Sequence, residues 1–446
     1  MHRHVRISEQ VLRQLLERLP AGLQRLAICP AGLSRSPQRQ EWLGHTLHRP
    51  PPSGPGPRIL IALAAEPGLL PARLAAARAE AAADEPVACL ALGTGSAAGT
   101  IAGMAVTGAE AYPIDRLTLV GPGFPEVGLT LLPAGRESAP AADLQCNRAP
   151  PIKQPPSPTL AIWSRTIGAL GETPWRRLTD LRVAIVGCGR SGSVAALALV
   201  RLGVRHLFLV DPDTLEPHNL GEAAIGSLMD LGRTKVAALA DHLRAQSLRD
   251  DLTLGPVPHS ILALPALAAV KAADVLFSCV DNPAARLATA HLATLYLRPL
   301  FDIGTGIFHA GDPAASGRRL GADVRLVLPG RCLSCLGGVA ASPEARAALV
   351  PEVAPPSSPR RAWHDERSGS LLSLNALAVH LAVRLLEDFL GGRVAGSTWL
   401  HLEFNPAGLP SIEQRRSPAR PACPGCALTA LGDAGLQRLP DWWSSQ

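Results

Sequence analysis

The sequence predicts a doubly wound α/β fold, a mostly parallel sheet braced by a structural zinc and preceded by a smaller α+β domain. Three observations lead there. Strand and helix periods alternate over residues 182–296, a glycine-rich turn joins the first strand of that series to its helix, and two C-x-x-C pairs follow farther on. Strands alternating with helices of about 10–15 residues ask for a parallel sheet covered on both faces. A C-x-x-C turn aims two thiolates at one point. Two such pairs, Cys332–Cys335 and Cys423–Cys426, make the four ligands of tetrahedral Zn²⁺ whatever their separation.

The chain of 446 residues has room for about two or three domains with buried cores. Residues 1–132 read as the smaller domain: Val5–Leu19 as a strand running into a helix, Leu26–Cys29 and Ile59–Ala64 as strands, Pro71–Ala83 as a helix, and Val87–Leu92 as a strand. Residues 133–159 are too rich in proline for a helix or central strand and read as a linker. Residues 160–430 hold the doubly wound domain, and residues 431–446 a tail. Within it, Arg182–Val186 is a short apolar run of buried-strand type, Gly192–Leu202 an Ala/Leu-rich helix, Val204–Val210 the next strand and Thr234–Ser247 the next helix. Asp274–Val280 is a third strand, stopped by Asp281-Asn282-Pro283, and Ala284–Tyr296 is a further helix. Pro351–Pro359 breaks both periods and reads as a long loop.

The net charge of +6 is carried by scattered arginines, since lysine occurs only at positions 153, 235 and 271. That pattern describes a solvated surface rather than a nucleic-acid-binding stripe. No apolar run reaches the ~18 residues of a membrane helix, and Met1–Val5 does not open a signal peptide. Nine cysteines, four of them in metal spacing, suit a compartment that keeps thiols reduced. The expected location is the cytoplasm, with no membrane partner.

Gly187-Cys188-Gly189-Arg190-Ser191-Gly192 is a G-x-G-x-x-G between a strand and a helix. Its glycines let backbone approach phosphates, and the helix N-terminus supplies partial positive charge. Asp211 follows the next strand, where a carboxylate accepts hydrogen bonds from ribose hydroxyls. Up to this point the pattern serves a nicotinamide-dependent oxidoreductase as well as an ATP enzyme.

What lies around the turn resembles the ThiF/MoeB family of ubiquitin-activating-type adenylyltransferases, over roughly Ile162 to Cys426. Ile162-Trp163-Ser164-Arg165-Thr166-Ile167 looks like the family's R-Y-x-R-Q-I segment. The resemblance implies that Arg165 reaches across a homodimer interface to ATP phosphates. LVDPDTLEPHNL is similar to D-x-D-x-V-x-x-S-N-L, which assigns Asp211 to the ribose and makes Asp213 and Asn219 nucleotide-pocket residues. Lys235, sixteen positions after Asn219, stands at the spacing of the family's phosphate-binding lysine. SCVDN matches C-T-D-N, whose aspartate, here Asp281, holds Mg²⁺. The cysteine pairs match the family's zinc knuckles in order and position. The resemblance therefore implies a ThiF-type domain using ATP, Mg²⁺ and Zn²⁺ to adenylate a carboxylate, above all the C-terminal glycine of a ubiquitin-like or sulfur-carrier protein ending in Gly-Gly. A small molecule, peptide or tRNA nucleoside is the alternative substrate, and a silent scaffold the non-enzymatic one.

The chain departs from the family in two places. Where the family has N-L-x-R-Q, it reads Asn219-Leu220-Gly221-Glu222-Ala223, setting a carboxylate where an arginine meets phosphate, with Arg190 or Arg233 the candidate substitute cations. Gly337–Ser373 contains no cysteine for a self-thioester. Cys188 sits in the turn, and Cys279 sits in a buried strand where apolar surroundings blunt a thiol. The order of elements in residues 1–132 is similar to a JAB/MPN isopeptidase domain. The stretch LGTGSAAGTIAGM lacks the H-x-H of its zinc motif, so a degenerate, partner-binding module is expected. His2, His4, His45 and His48 read as exposed or loop residues.

Overall fold

The computed structural model describes residues 2–11, 27–45, 57–64, 72, 75, 86–93, 101–107, 110–121, 126–127, 158–221, 223–224, 226–309, 318–339, 371–394, 396–405, 407–417, 420 and 423–437. Two compact units result: Met1–Pro155 with Leu295–Leu297 and Thr429–Arg438, and Pro156–Thr294 with Arg298–Leu428 and Leu439–Gln446. The expected helix Pro71–Ala83 and the loop Pro351–Pro359 lie outside the described residues, apart from positions 72 and 75.

The first unit is a nine-stranded sheet: β1 (His2–Ser8), β2 (Ala27–Arg35), β3 (Arg39–Gly44), β4 (Arg58–Ala64), β5 (Val87–Gly93), β6 (Ile101–Thr107), β7 (Glu110–Pro113), β8 (Arg116–Val120) and β9 (Glu126–Val127). Its order is β7-β6-β5-β4-β2-β3-β1-β8-β9. Val5 and Ile7 of β1 enter a core with Trp42, Ile59, Leu90 and Leu117. The alternate residues His4 and Arg6 are also buried, which sequence alone did not reveal. The expectation of an exposed or loop histidine is corrected at His4, 3% exposed in mid-strand. Its Nδ1 lies 3.1 Å from Glu41 Oε1 and its Nε2 2.7 Å from Thr118 Oγ1. Arg6 and Arg39 donate to the same Glu41 oxygen at 3.0 and 2.9 Å. Burying this charge is tolerable because the carboxylate is met by several donors at once. The histidine-free stretch Leu92–Met104 falls partly outside the described residues.

The second unit carries β10 (Arg182–Val186), β11 (His206–Val210), β12 (Thr253–Val257), β13 (Val275–Ser278), β14 (Leu300–His309), β15 (Arg318–Val327), β16 (Thr398–Phe404) and β17 (Pro410–Arg415). They form one sheet in that spatial order except at the start, β12-β11-β10-β13-β14-β15-β16-β17. The four pairings from β12 to β14 are parallel and the three from β14 to β17 antiparallel. The doubly wound, mostly parallel fold is thus observed, with an antiparallel extension that the sequence pattern did not anticipate. The helices are α1 (Pro158–Ile162), α2 (Ser164–Leu170), α3 (Glu172–Asp180), α4 (Arg190–Arg201), α5 (Pro217–Leu220), α6 (Lys235–Gln246), α7 (Leu264–Ala272), α8 (Pro283–Leu295), α9 (Leu372–Leu390) and α10 (Asp433–Leu436), the last counted with the first unit. On α9, Leu374, Ala378, Ala382, Leu385 and Phe389 recur at helical period and are buried. Phe389 meets Phe301 edge-on at 6.5 Å, and Phe301 stacks on Phe277 at 4.9 Å.

Register positions the site. Val186 is paired with both Val210 and Ser278, so β10, β11 and β13 end level with one another. Gly187, Asp211 and Cys279 therefore leave the sheet side by side at its carboxyl edge, where open α/β sheets bind ligands.

Candidate active site and metal centre

The turn after β10 can hold only glycine at two positions. Gly187 has φ +87°, and a Cβ there would lie 2.7 Å from the Cys279 carbonyl oxygen. A Cβ on Gly192 would lie 1.8 Å from the Gly187 oxygen, so the helix could not seat against the turn. Gly189, by contrast, faces open space and caps α4 without any side-chain bond, which leaves first-turn N–H groups for a ligand.

A cavity of about 420 Å³ opens over this turn. Gly187, Gly189, Arg190, Asp211, Asp213, Asn219, Lys235 and Asp281 all line it. Asp211 is buried; its oxygens accept from Cys188 N at 2.7 Å and Asp213 N at 2.9 Å. Burial raises its pKa against the pull of Lys235 and these two amides. Lys235 donates to Asp213 Oδ2 at 2.8 Å and is only 12% exposed. Burial alone would lower its pKa, but Asp211, Asp213 and Asp281 outweigh it and hold the ammonium above its usual range. The cavity thus contains a firmly protonated lysine. Asn219 closes a capping box, its Oδ1 accepting from Glu216 N at 3.0 Å, which pins α5 at the rim. Asp281 is exposed, and the cap of α8 is Asn282, whose Oδ1 accepts from Ala285 N at 2.7 Å. The Asp281 carboxylate is not needed for capping.

Arg165 is exposed on α2 and does not line the cavity. Its helix is anchored by Trp163, whose Nε1 donates to Arg201 O at 2.8 Å, at the far end of α4 from the glycine turn. Twelve residues separate the ends of α4, a span of about 18 Å at the usual rise per residue. Arg233 is held by Asp230 at 2.7 Å and Asp241 at 2.5 Å and does not line the cavity, so Arg190 is the sequence-singled substitute cation that does. Glu222 lies outside the described residues.

Arg286, Thr305 and Asn375 line the cavity from outside the sequence motifs. Arg286 donates to Val280 O at 2.6 Å and to fully buried Asp302 at 2.9 Å. Asp302 also accepts from Arg325 at 3.3 Å, and Arg325 Nε donates to Leu336 O at 3.0 Å. One buried carboxylate so ties the turn bearing Asp281 to the turn bearing Cys335. Burial, reinforced by Asp302 and opposed by Arg286, pushes the Cys279 thiol up to about 12. Burial foremost raises Cys188 too, and neither thiol is poised as a nucleophile.

Cys332, Cys335, Cys423 and Cys426 converge with all sulfurs within 4.8 Å of one another. Three edges of this tetrahedron measure 3.7, 3.6 and 3.5 Å. Four thiolates at about 2.3 Å from one Zn²⁺ would sit about 3.8 Å apart, so the four residues fit that ion. Gly425 is required beside them, since a Cβ there would lie 2.8 Å from Cys332 Sγ. The Cys335 carbonyl accepts from Ser417 Oγ at 2.5 Å, stitching the loops that bring the pairs together.

Comparison with known proteins places residues 163–352 in the ThiF family. The chain is 36% identical to the adenylyltransferase and sulfurtransferase uba4 of Aspergillus fumigatus over 131 residues, 29% of this chain and 26% of that protein. It is 33% identical to the adenylyltransferase and sulfurtransferase MOCS3 of Bos taurus over 131 residues, 29% of this chain and 28% of that protein. Against tRNA threonylcarbamoyladenosine dehydratase 1 of Saccharomyces cerevisiae the identity is 31% over 80 residues, 18% of this chain and 19% of that one. The match spans about a quarter of the length of the first of these relatives. Among solved structures, E. coli MccB with ATP aligns at 15% identity and TM-score 0.43, covering 59% of this chain and 74% of that one. Within the second unit, residues 163–352 are thus the segment that matches the ThiF family.

Proposed function

We propose that the second unit binds ATP in this cavity and adenylates a carboxylate. The observation that carries this reading is the protonated Lys235, set among Asp211, Asp213 and Asp281 at the mouth of a turn whose helix start has no side-chain cap. Asp211 would accept from the ribose, while the turn, Arg190 and Lys235 receive the phosphates. Asp281, free of any capping duty, would hold Mg²⁺, which screens phosphate charge when bound. A carboxylate oxygen attacks the α-phosphorus. The O–Pα bond forms, the Pα–O–Pβ bond breaks, and pyrophosphate leaves with no proton transferred. The negative charge of that transition state is spread over phosphate oxygens, so positioning and cations do most of the catalysis.

The substrate we propose is the C-terminal glycine of a ubiquitin-like or sulfur-carrier protein ending in Gly-Gly. The names of two relatives, which join adenylyl transfer to sulfur transfer, support that choice. Likeness to the yeast tRNA dehydratase favours a tRNA nucleoside as the second reading. With Cys188 and Cys279 held as thiols, the activated acyl group passes to an external nucleophile. The distance of Arg165 from its own glycine turn supports a homodimer in which each chain completes its partner's site. Zinc would be structural, the first unit would hold a partner, and the reducing cytoplasm suits the four thiolates. No described helix is long and apolar enough to cross a membrane.

The test is ATP–pyrophosphate exchange with a Gly-Gly carrier, with tRNA, and with neither. Carrier-dependent exchange is expected. Exchange stimulated by tRNA alone would transfer the site to the second reading, and none at all would make the domain a scaffold.

A further inference from the structure

One end of the cavity is organised by a single side chain, Asn375, 2% exposed on the first turn of α9. Its Oδ1 accepts from Ser191 Oγ at 3.1 Å and from Thr305 Oγ1 at 2.8 Å, and its Nδ2 donates to the Leu371 carbonyl at 3.0 Å. The direction of these bonds is chemically determined. A carbonyl can only accept, so the amide must turn its NH₂ toward Leu371 and its oxygen toward the two hydroxyls. Each hydroxyl has one proton, and both protons are committed to Asn375. Ser191 and Thr305, which both line the cavity, therefore present lone pairs to whatever occupies it. Elsewhere in the cavity Arg190, Lys235 and the glycine-turn amides suit anions, beside the carboxylates of Asp211, Asp213 and Asp281. Phosphate is repelled from the wall that Asn375 organises, and an N–H is welcomed there.

We propose that Asn375 is a positioning residue that makes Thr305, with Ser191, an acceptor wall for an N–H on the acyl substrate next to its reacting carboxylate, so that the site selects carboxylates carrying such a donor. This rests on the adenylation reading and adds a specificity determinant to it. A peptide carboxyl terminus carries that donor in its last amide, whereas a simple acid does not.

The probes are a synthetic peptide ending in Gly-Gly and the same peptide ending in glycyl-sarcosine, where a methyl replaces the last amide hydrogen. Each is measured by KM in pyrophosphate exchange and by binding to protein loaded with a non-hydrolysable ATP analogue. The wild type should prefer the Gly-Gly peptide by about tenfold, the upper worth of one hydrogen bond. Thr305→Val should erase the preference by weakening the Gly-Gly peptide while ATP affinity is kept, and Thr305→Ser should restore it. Asn375→Leu, which releases both hydroxyl protons, should erode the preference too. Equal handling of the two peptides by wild type, or a preference that survives Thr305→Val, overturns the proposal. So does failure of the ATP-loaded protein to bind either peptide. Exchange with donor-free acids in that event leaves the adenylation reading standing, and no exchange with any carboxylate removes both.

Discussion

Replacing Lys235 with alanine probes the candidate site most directly. In the cavity the ammonium sits 2.8 Å from Asp213 and is flanked by Asp211 and Asp281, so the substitution leaves three carboxylates round one gap. Toward ATP it removes a cation about 4 Å from a phosphate oxygen, worth about 4 kcal/mol at the effective dielectric of a protein surface. Water entering the vacated space returns part of that, so a net loss of about 2–4 kcal/mol is expected, or roughly 30- to 1000-fold in exchange rate. Pyrophosphate exchange at saturating carboxylate, ATP binding by calorimetry and thermal unfolding should be measured together. A folded variant with ATP binding and exchange both reduced is the expected result. Exchange within about threefold of wild type in a folded variant would refute the assignment of Lys235 to phosphate and, with it, the cationic reading of the cavity.

Four further outcomes are expected. Burial, helped by Arg39 and Arg6, holds His4 near a pKa of about 3 against the pull of Glu41, so the first unit is stabilised above pH 6.5 and loses that stability as pH falls toward 3; the loss reaches about 2 kcal/mol at pH 5, and His4→Gln should flatten the urea-midpoint profile between pH 7 and 5. Metal analysis should return about one zinc per chain, and Cys332→Ser or Cys426→Ser should lose it together with solubility; a soluble, zinc-free quadruple variant of normal fold would sink the closed-site reading. Arg190→Ala should weaken ATP binding by about 1–3 kcal/mol, whereas Glu222→Arg should leave exchange unchanged or raise it; a silent wild type awakened by Glu222→Arg would mark the domain as a pseudoenzyme. Mixing an Arg165→Ala chain with a Lys235→Ala chain should recover activity in mixed dimers, and failure in dimers shown to be mixed would deny Arg165 a role in trans.

Much of the site could be read in the sequence because it lies in short, locally determined segments. β10, the glycine turn, α4 and Asp211 follow one another within about thirty residues, and their geometry is dictated by strand period, glycine and the parallel register alone. The cysteine pairs were legible for the same reason, each being a tight turn whose residues act together. What sequence could not show are contacts between segments far apart in the chain. Asn375 meets Ser191 across 184 positions, and Asp302 joins Arg286 to Arg325 inside the sheet. His4 looked like a terminal loop residue because burial of a strand's second face depends on what covers it, which no period of two reveals. The antiparallel strands β15 to β17 escaped as well, since β15 and β16 are brought together across residues 328–397 and only pairing defines them. The residue types, their local turns and the chemistry they offer were determined by the sequence itself. Tertiary structure decided which of them share a cavity and which way their hydrogen bonds point, because both depend on chain segments that meet only in the folded state.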